Sequence, residues 1–310
     1  MTIKRYKTKH SGTILLITLL LIGIISGSIA LLLAQSDRIL NLSQHSLGDA
    51  QISKIYTDME HSLPKMISKI STAHDLEYAM IFPFQNHSED GRFKLDISLK
   101  SSMNKININK LCDSFGNVSE QYSGFLSTLF SRYPIVSPET FTNIVCDTLD
   151  SDLIEHQARS KISIDTPDFH NGSIEDYRQF YQIISRYYTL TKDSQIYSIP
   201  WEKIIGFEGE KIDINYVSIE LLSLLAPQLD TITLHRLTDL KTAPFESKEE
   251  VLSVAGNLAP IYDQWFSVYT SAKPYLLVCE TTTQLNGEKS RFEFHIDTLN
   301  RTISHLKIQR

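Results

Sequence analysis

The distribution of apolar and polar residues divides the chain into four stretches. Thr13 to Ala34 reads TILLITLLLIGIISGSIALLLA, 22 residues without a charge. As a helix at 1.5 Å per residue it would span about 33 Å, enough to cross a ~30 Å hydrocarbon core. From Leu40 to Ala73 the apolar positions Leu47, Ile52, Ile55, Met59, Leu63, Met66, Ile67 and Ile70 recur at three- and four-residue steps, so the same helix is expected to continue outward with Pro64 as a kink point. Strand patterning comes next. Phe93 to Leu99 alternates apolar and polar, with Glu77–Phe82 and Ile106–Asn109 expected as neighbouring strands. The C-terminal end repeats this pattern in Arg291–Asp297, and less cleanly in Gln264–Thr270, Tyr275–Thr283 and Thr302–Ile308. Turns are expected at Asn286-Gly287 and Asn300-Arg301. Between the two strand regions the pattern is helical. Ser137-Pro138-Glu139 opens one helix, Ser173 to Tyr188 forms another, and Ser247-Lys248-Glu249-Glu250 is a capping box for a third. The expected fold class is α+β: a long N-terminal membrane-spanning helix packed on a small antiparallel sheet, with a large all-helical domain inserted into that sheet.

The flanks of the apolar stretch orient it. Lys4, Arg5, Lys7, Lys9 and His10 precede it without an intervening acid, which keeps that end cytoplasmic and sends everything after Ala34 across the membrane. Three readings remain open for this N-terminus. A secretory signal cleaved near Ser26–Ala30 would have a shorter apolar core. A plain signal anchor is the second. The third is a leader of the prepilin type, residues 1–12, cut after Gly12 and before Thr13.

Charge and composition narrow the function classes. The chain carries −6, and its first twelve residues carry +4, which leaves −10 on residues 13–310. An acidic exported body does not suit a nucleic-acid partner, because phosphate binding needs a basic face. Asp213 to Val254 has the outline of a helix-hairpin-helix, but its connection, Leu225 to Asp230, carries an acid and lacks the glycines that approach phosphates. No nucleophile elbow, zinc-protease, phosphate-loop or dinucleotide pattern occurs, so an enzyme is not expected. The ten histidines form no metal spacing, and His235 and His295 read as surface or satisfied strand residues. Cys112, Cys146 and Cys279 lie far apart with no CxxC pair. Either Cys112 and Cys146 pair in an oxidising compartment with Cys279 buried, or all three are reduced core cysteines.

Five segments in order resemble the minor pseudopilin K family of type II secretion (general secretion pathway protein K). They are Met103–Leu111 (MNKININKL), Cys146–Asp152 (CDTLDSD), Gly172–Tyr177 (GSIEDY), Ile212–Leu222 (IDINYVSIELL) and Ala243–Leu252 (APFESKEEVL). Thr148 stands where the family has Trp, and Asn215-Tyr216-Val217-Ser218 replaces an alanine-rich run. Both are packing differences.

The resemblance implies a domain plan of leader 1–12, transmembrane segment 13–34, periplasmic helix 35–75, pseudopilin sheet 76–110 with 264–310, and inserted helical domain 111–263. It implies cleavage after Gly12 and methylation of Thr13 by the prepilin peptidase. It places the protein in the inner membrane as a single pass with a periplasmic body. There it joins minor pseudopilins I and J, the major pseudopilin, the inner-membrane assembly platform and membrane lipid, to start and cap the pseudopilus that exports folded proteins. Most pilin-like chains carry Glu at the fifth mature residue, and here that position is Ile17. A subunit at the tip has no neighbour above it whose amine needs a partner, and an unpaired acid in lipid is costly. The family also implies calcium in the helical domain, carried over to Asp150, Asp152, Glu175 and Asp176. The alternative to this reading is a minor pilin of a type IV pilus or competence-type machine.

Overall fold

The computed structural model describes residues 67–81, 84–87, 93–113, 116–150, 154–239, 243–273, 275–285, 288–300 and 302–309, together with Asp152 and scattered positions from Lys54 to Lys65. It divides into Met1–Leu63 and Pro64–Arg310. In the first unit Lys54, Thr57, Asp58, His61 and Leu63 are described, each in a helix. Gly12, Thr13, Ile17, the apolar stretch and the Asn286-Gly287 turn lie outside the described residues. Among the described residues no helix is long and apolar enough to cross a membrane.

An antiparallel sheet of five strands frames the second unit: β1 (Phe84–His87), β2 (Phe93–Ser101), β7 (Leu276–Leu285), β8 (Glu288–Asp297) and β9 (Thr302–Gln309), in the order β1-β2-β7-β8-β9. The alternation read in the sequence is the alternation of the sheet. Ile97, Leu99, Leu277, Cys279, Thr281, Phe294 and Ile296 are buried at two-residue steps, and Leu99 faces Cys279, which faces Phe294. The β7–β8 register runs to Leu285 opposite Glu288. Asp297 closes the next turn, its carboxylate accepting from the backbone of Leu299 and Asn300 and from the Asn300 amide.

Three expected strands changed. The described part of Glu77–Phe82, Glu77 to Ile81, falls in helix α1 (Ala73–Ile81), which lies against β2. Asp75 Oδ2 accepts from the Ser71 hydroxyl at 2.8 Å and from the Ser71 and Thr72 amides at 3.1 and 3.0 Å, and the Thr72 hydroxyl accepts from the Asp75 amide. This reciprocal box starts a helix that Ala, Leu, Glu and Met then propagate. These hydrogen bonds, the Ser71 hydroxyl's foremost, hold the Asp75 carboxyl down at about 2. The helical stripe expected to reach Ala73 accordingly ends near Ile67 and restarts after Thr72. Ile106–Asn109 shortens to β3 (Ile106–Asn107), because the Asn107 side chain accepts from the Asn109 amide and turns the chain into a 3₁₀ coil. Strand β3 leaves the main sheet and pairs in parallel with β4 (Ile205–Gly206). Of Gln264–Thr270, Phe266–Ser267 alone is strand, β6, parallel to β5 (Ile212–Asp213). The residues before it belong to a helix, Ala259–Trp265, opened by Pro260.

The chain leaves the sheet at Ser101 and returns at Leu276 into the neighbouring strand, so the helices between are inserted between two paired strands. The main ones are α2 (Glu120–Arg132), α3 (Pro138–Leu149), α5 (Tyr177–Thr191), α7 (Ile219–Leu225), α8 (Thr231–Thr238) and α9 (Lys248–Val254), with short α4 (Ile162–Asp165) and α6 (Trp201–Ile204) among them. Ser247 caps α9 by accepting from the Glu250 amide, as the capping box predicts. Ser137 does not cap α3 through its side chain, and its hydroxyl bonds Thr140 Oγ1 instead. Trp201 anchors the core. Its ring stacks on Phe141 at 5.2 Å and meets Phe180 edge-on at 5.3 Å, while its Nε1 donates to the Ile196 carbonyl. Each ring pair contributes about 0.5–1.5 kcal/mol beyond the area it buries.

A polar latch joins the two parts. Tyr275, at the entry to β7, donates its hydroxyl to Asp213 Oδ2 at 2.8 Å and lies 2.7 Å from Ser101 Oγ at the end of β2. Asp213 has no exposed surface, and burial followed by the Asp213 charge pushes the Tyr275 hydroxyl well above its ordinary range. Tyr275→Phe is expected to lower unfolding stability by about 2 kcal/mol, because it strips a donor from a buried carboxylate. Urea denaturation followed by Trp fluorescence would show the loss, and an unchanged midpoint would mean the latch contributes nothing.

Candidate functional site

The five segments that carry the resemblance meet one another in space, two of the joints through asparagine side chains and two through backbone hydrogen bonds, Gly172 to Thr148 and Asp213 to Met103. Asn109 Nδ2 donates to the Ile174 and Phe207 carbonyls at 2.9 and 2.8 Å, and its Oδ1 accepts from the Ile174 amide at 2.7 Å. Asn107 Nδ2 donates to the Gly209 carbonyl at 3.0 Å. Asn215 does the same for Phe245, accepting from its amide at 2.8 Å and donating to its carbonyl at 3.0 Å. The Gly172 amide donates to the Thr148 carbonyl at 2.7 Å. Each asparagine offers one donor group and one acceptor at fixed geometry, which matches the two exposed polar groups of a peptide unit. These segments form an internal clamp, and their role in the structure is positional.

A charged pocket sits at the C-terminal end of α3. Asp147 is fully buried, and both its oxygens accept from the His156 amide at 3.1 Å. His156 Nδ1 and the Ser160 hydroxyl also lie on this carboxylate. Next to it Lys161, with no exposed side-chain surface, donates to Asp150 Oδ1 and, at 3.2 Å, to Asp152 Oδ1. Asp150 Oδ2 is buried without a hydrogen-bond partner, 3.8 Å from His156 Nδ1. Gly116, at φ +78, closes the pocket: a Cβ there would stand 2.2 Å from His156 Nε2, so the position requires glycine on both counts.

The Lys161–Asp152 pair stays charged over a wide pH range. Burial lowers the Lys161 ammonium, but hydrogen bonds and attraction from Asp150 and Asp152 outweigh it and hold the group above 10.5. Its stabilisation is complete below that value and is lost as pH rises through the raised one. Asp152 is held below 3.8, first by the Ile154 amide, against a smaller opposing effect of burial, and further by Lys161. Its share is complete above 3.8 and is lost as pH falls through the lowered value.

The four acids taken as calcium ligands separate into two groups. Asp150 and Asp152 share Lys161, whereas Asp176 caps α5 by accepting from the Gln179 amide at 2.9 Å, and Glu175 is exposed. No three of the four bring ligand atoms within 4.8 Å of one another; among the described residues Asp147, Asp150 and His156 do so. Calcium takes six to eight oxygens, whereas Lys161 pairs with one oxygen each of Asp150 and Asp152. In this structure Asp150 and Asp152 thus meet on Lys161, and Asp176 caps α5. Lys161, His156 and Ser160 did not stand out in the sequence, because nothing local marks a lysine as buried.

Cys112 and Cys146 are bonded, with Cα atoms 5.6 Å apart, and Cys279 is a buried thiol pushed up to about 12 by burial. Cys146 immediately precedes Asp147, so the disulfide fixes the helix turn from which the charged pocket is built. His295 is paired, its Nδ1 lying 2.6 Å from Glu208 Oε2. His235 sits on the surface beside Asp239 at 2.9 Å.

No family model matches this sequence, and no curated protein matches it. The fold is similar to a chain in the crystal structure of the GspK-GspI-GspJ complex from the type 2 secretion system of enterotoxigenic Escherichia coli. The TM-score is 0.59 at 14% identity, over 86% of this chain and 99% of that one. That neighbour is a component of a secretion-system complex. The sheet with its inserted helical body is thus a pseudopilin-like fold.

Proposed function

We propose that this protein is a minor pseudopilin of a type II secretion system, placed at the tip of the pseudopilus. The observation that carries this reading is the helical body inserted between β2 and β7 of a pseudopilin-like sheet. A helical shaft stacks each subunit beneath the next. A body of about 150 residues has a radius of gyration near 15 Å, and on every subunit it would obstruct the one above. One copy at the end meets no obstacle.

The basic leader, the apolar 13–34 segment and Ile17 fit the same reading. Cleavage after Gly12 and methylation of Thr13 would deliver an inner-membrane subunit whose body faces the periplasm. The Cys112–Cys146 disulfide suits an exported body. Its partners would be minor pseudopilins I and J, then the major pseudopilin and the inner-membrane assembly platform. Contacts would run through the outer helix, about Leu40 to Ile70, and the sheet edges β1 and β9. Full-length chain co-expressed with the I and J pseudopilins is expected to co-purify as one complex and to appear in far fewer copies than the major subunit. Labelled protein distributed along isolated pseudopili would overturn the tip assignment. Co-purification with type IV pilus subunits instead would favour the minor-pilin alternative.

A further inference from the structure

A cavity of about 690 Å³ lies where the sheet meets the helical body, beside the Tyr275 latch. That is within the size range of pockets that take ligands. Met103, Val268 and Leu276 give it an apolar wall. Three lysines line it from separate segments: Lys110 in the 3₁₀ coil after β3, Lys211 just before β5, and Lys273 between β6 and β7. Two acids share the wall, and both are engaged. Glu210 pairs with Lys110 at 3.3 Å, and Asp297 accepts from the backbone of Leu299 and Asn300. Lys211 and Lys273 are exposed and form no ion pair among the described residues. Their charges reach Asp263, but that carboxyl is held down first by its own hydrogen bond from Lys248. Thr270, also in the wall, keeps its Oγ1 buried without a hydrogen-bond partner. The cavity thus presents spare cations beside apolar surface, on a chain whose residues 13–310 carry −10.

We propose that this cavity is a docking site for an acidic segment of a partner polypeptide. Its carboxylates would meet Lys211 and Lys273, and an apolar side chain next to them would enter against Met103, Val268 and Leu276. The type and placement of the cations favour a chain over a single small anion. A compact anion is held best by converging donors in fixed geometry, as in an arginine fork. Lysines are point charges on flexible stems, and here they stand on separate segments, which suits several carboxylates spaced along a peptide. This inference does not depend on the proposed secretion role.

The test is fluorescence anisotropy on the full-length chain in detergent micelles, with a fluorescein-labelled hexapeptide of alternating Glu and Leu as the probe. The chain is expected to bind this peptide roughly tenfold more tightly than the same peptide with Gln for Glu. Binding should weaken as salt rises, because the lysines are exposed to screening. Lys211→Gln combined with Lys273→Gln is expected to weaken the Glu peptide roughly tenfold. The double variant should keep its melting temperature by Trp fluorescence, since both side chains are on the surface. Lys192→Gln, outside the cavity wall, should bind as the unaltered chain does. Equal affinity for the Glu and Gln peptides, or no binding of either, would overturn the proposal. So would binding indifferent to the loss of Lys211 and Lys273. Displacement of the peptide by inorganic phosphate at the peptide's own concentration would also overturn it, making the cavity a simple anion site.

Discussion

A chain carrying Gly12→Leu is expected to keep its first twelve residues and to be lost from assembled pseudopili. Cleavage on the cytoplasmic side of the apolar segment requires the peptidase to hold the backbone closely at residue 12, and glycine alone has no Cβ to obstruct that approach. An uncut chain still carries Lys4, Arg5, Lys7 and Lys9 ahead of Thr13. These charges cannot follow the apolar helix into a shaft built of packed, membrane-derived helices, because their transfer into hydrocarbon costs several kcal/mol. The expected effect is all or none: an intact mass with Met1 retained, normal insertion in the membrane, and no secretion when the variant replaces the native chain. Mass spectrometry of the N-terminus decides it. A Gly12→Leu chain that begins at Thr13, or an unaltered chain that begins at Met1, would remove the leader from this account.

Loss of the disulfide should have the largest effect on stability. Cys112 and Cys146 are 34 residues apart, and the segment they close contains α2 and most of α3. In the chain-entropy model a loop of this length restricts the unfolded ensemble by about 3–4 kcal/mol. Cys112→Ala with Cys146→Ala is therefore expected to melt roughly 10 °C lower, at a scale of about 2–4 °C per kcal/mol for a body of this size. Dithiothreitol should reproduce the drop in the unaltered chain. The effect should extend to the charged pocket, since Cys146 sits against Asp147 and the loop carries Gly116 over His156. Cys279 does not contribute, because it is a buried thiol in the sheet. Equal melting temperatures with and without reductant would show that the native packing alone holds this loop.

The elements that were legible in the sequence are those in which local pattern and burial agree. Phe93–Leu99 and Arg291–Asp297 alternate because one face of each strand is buried, and their pairing through β7 results from that face. Glu77–Ile81 was expected as strand and is helix, for a reason that lies just upstream of it. Thr72 and Asp75 are spaced as a capping box, and that start outweighs the strand-like run after it. The asparagines of the five segments were legible as a pattern but not as a clamp. Asn109 and Asn215 act on peptide units 65 and 30 residues away, and sequence spacing does not encode that distance.

The candidate site divides the same way. Asp150 and Asp152 drew attention as acids at a helix end, and in the structure both pair with Lys161. Glu175 and Asp176, equally acidic, turn to local work at the start of α5. By itself the sequence determined the apolar anchor-like stretch, the acidic body, the strand and helix periods, and the order of the segments that resemble the pseudopilin family. All of these are properties of neighbouring residues or of sums over the chain. The tertiary structure alone decided which cysteines bond, which strand of the sheet takes the insertion, and which lysine lies against the acidic helix end. Each of those depends on groups brought together from far along the chain, where the cost of burying a charge selects whichever partner the fold can deliver to it.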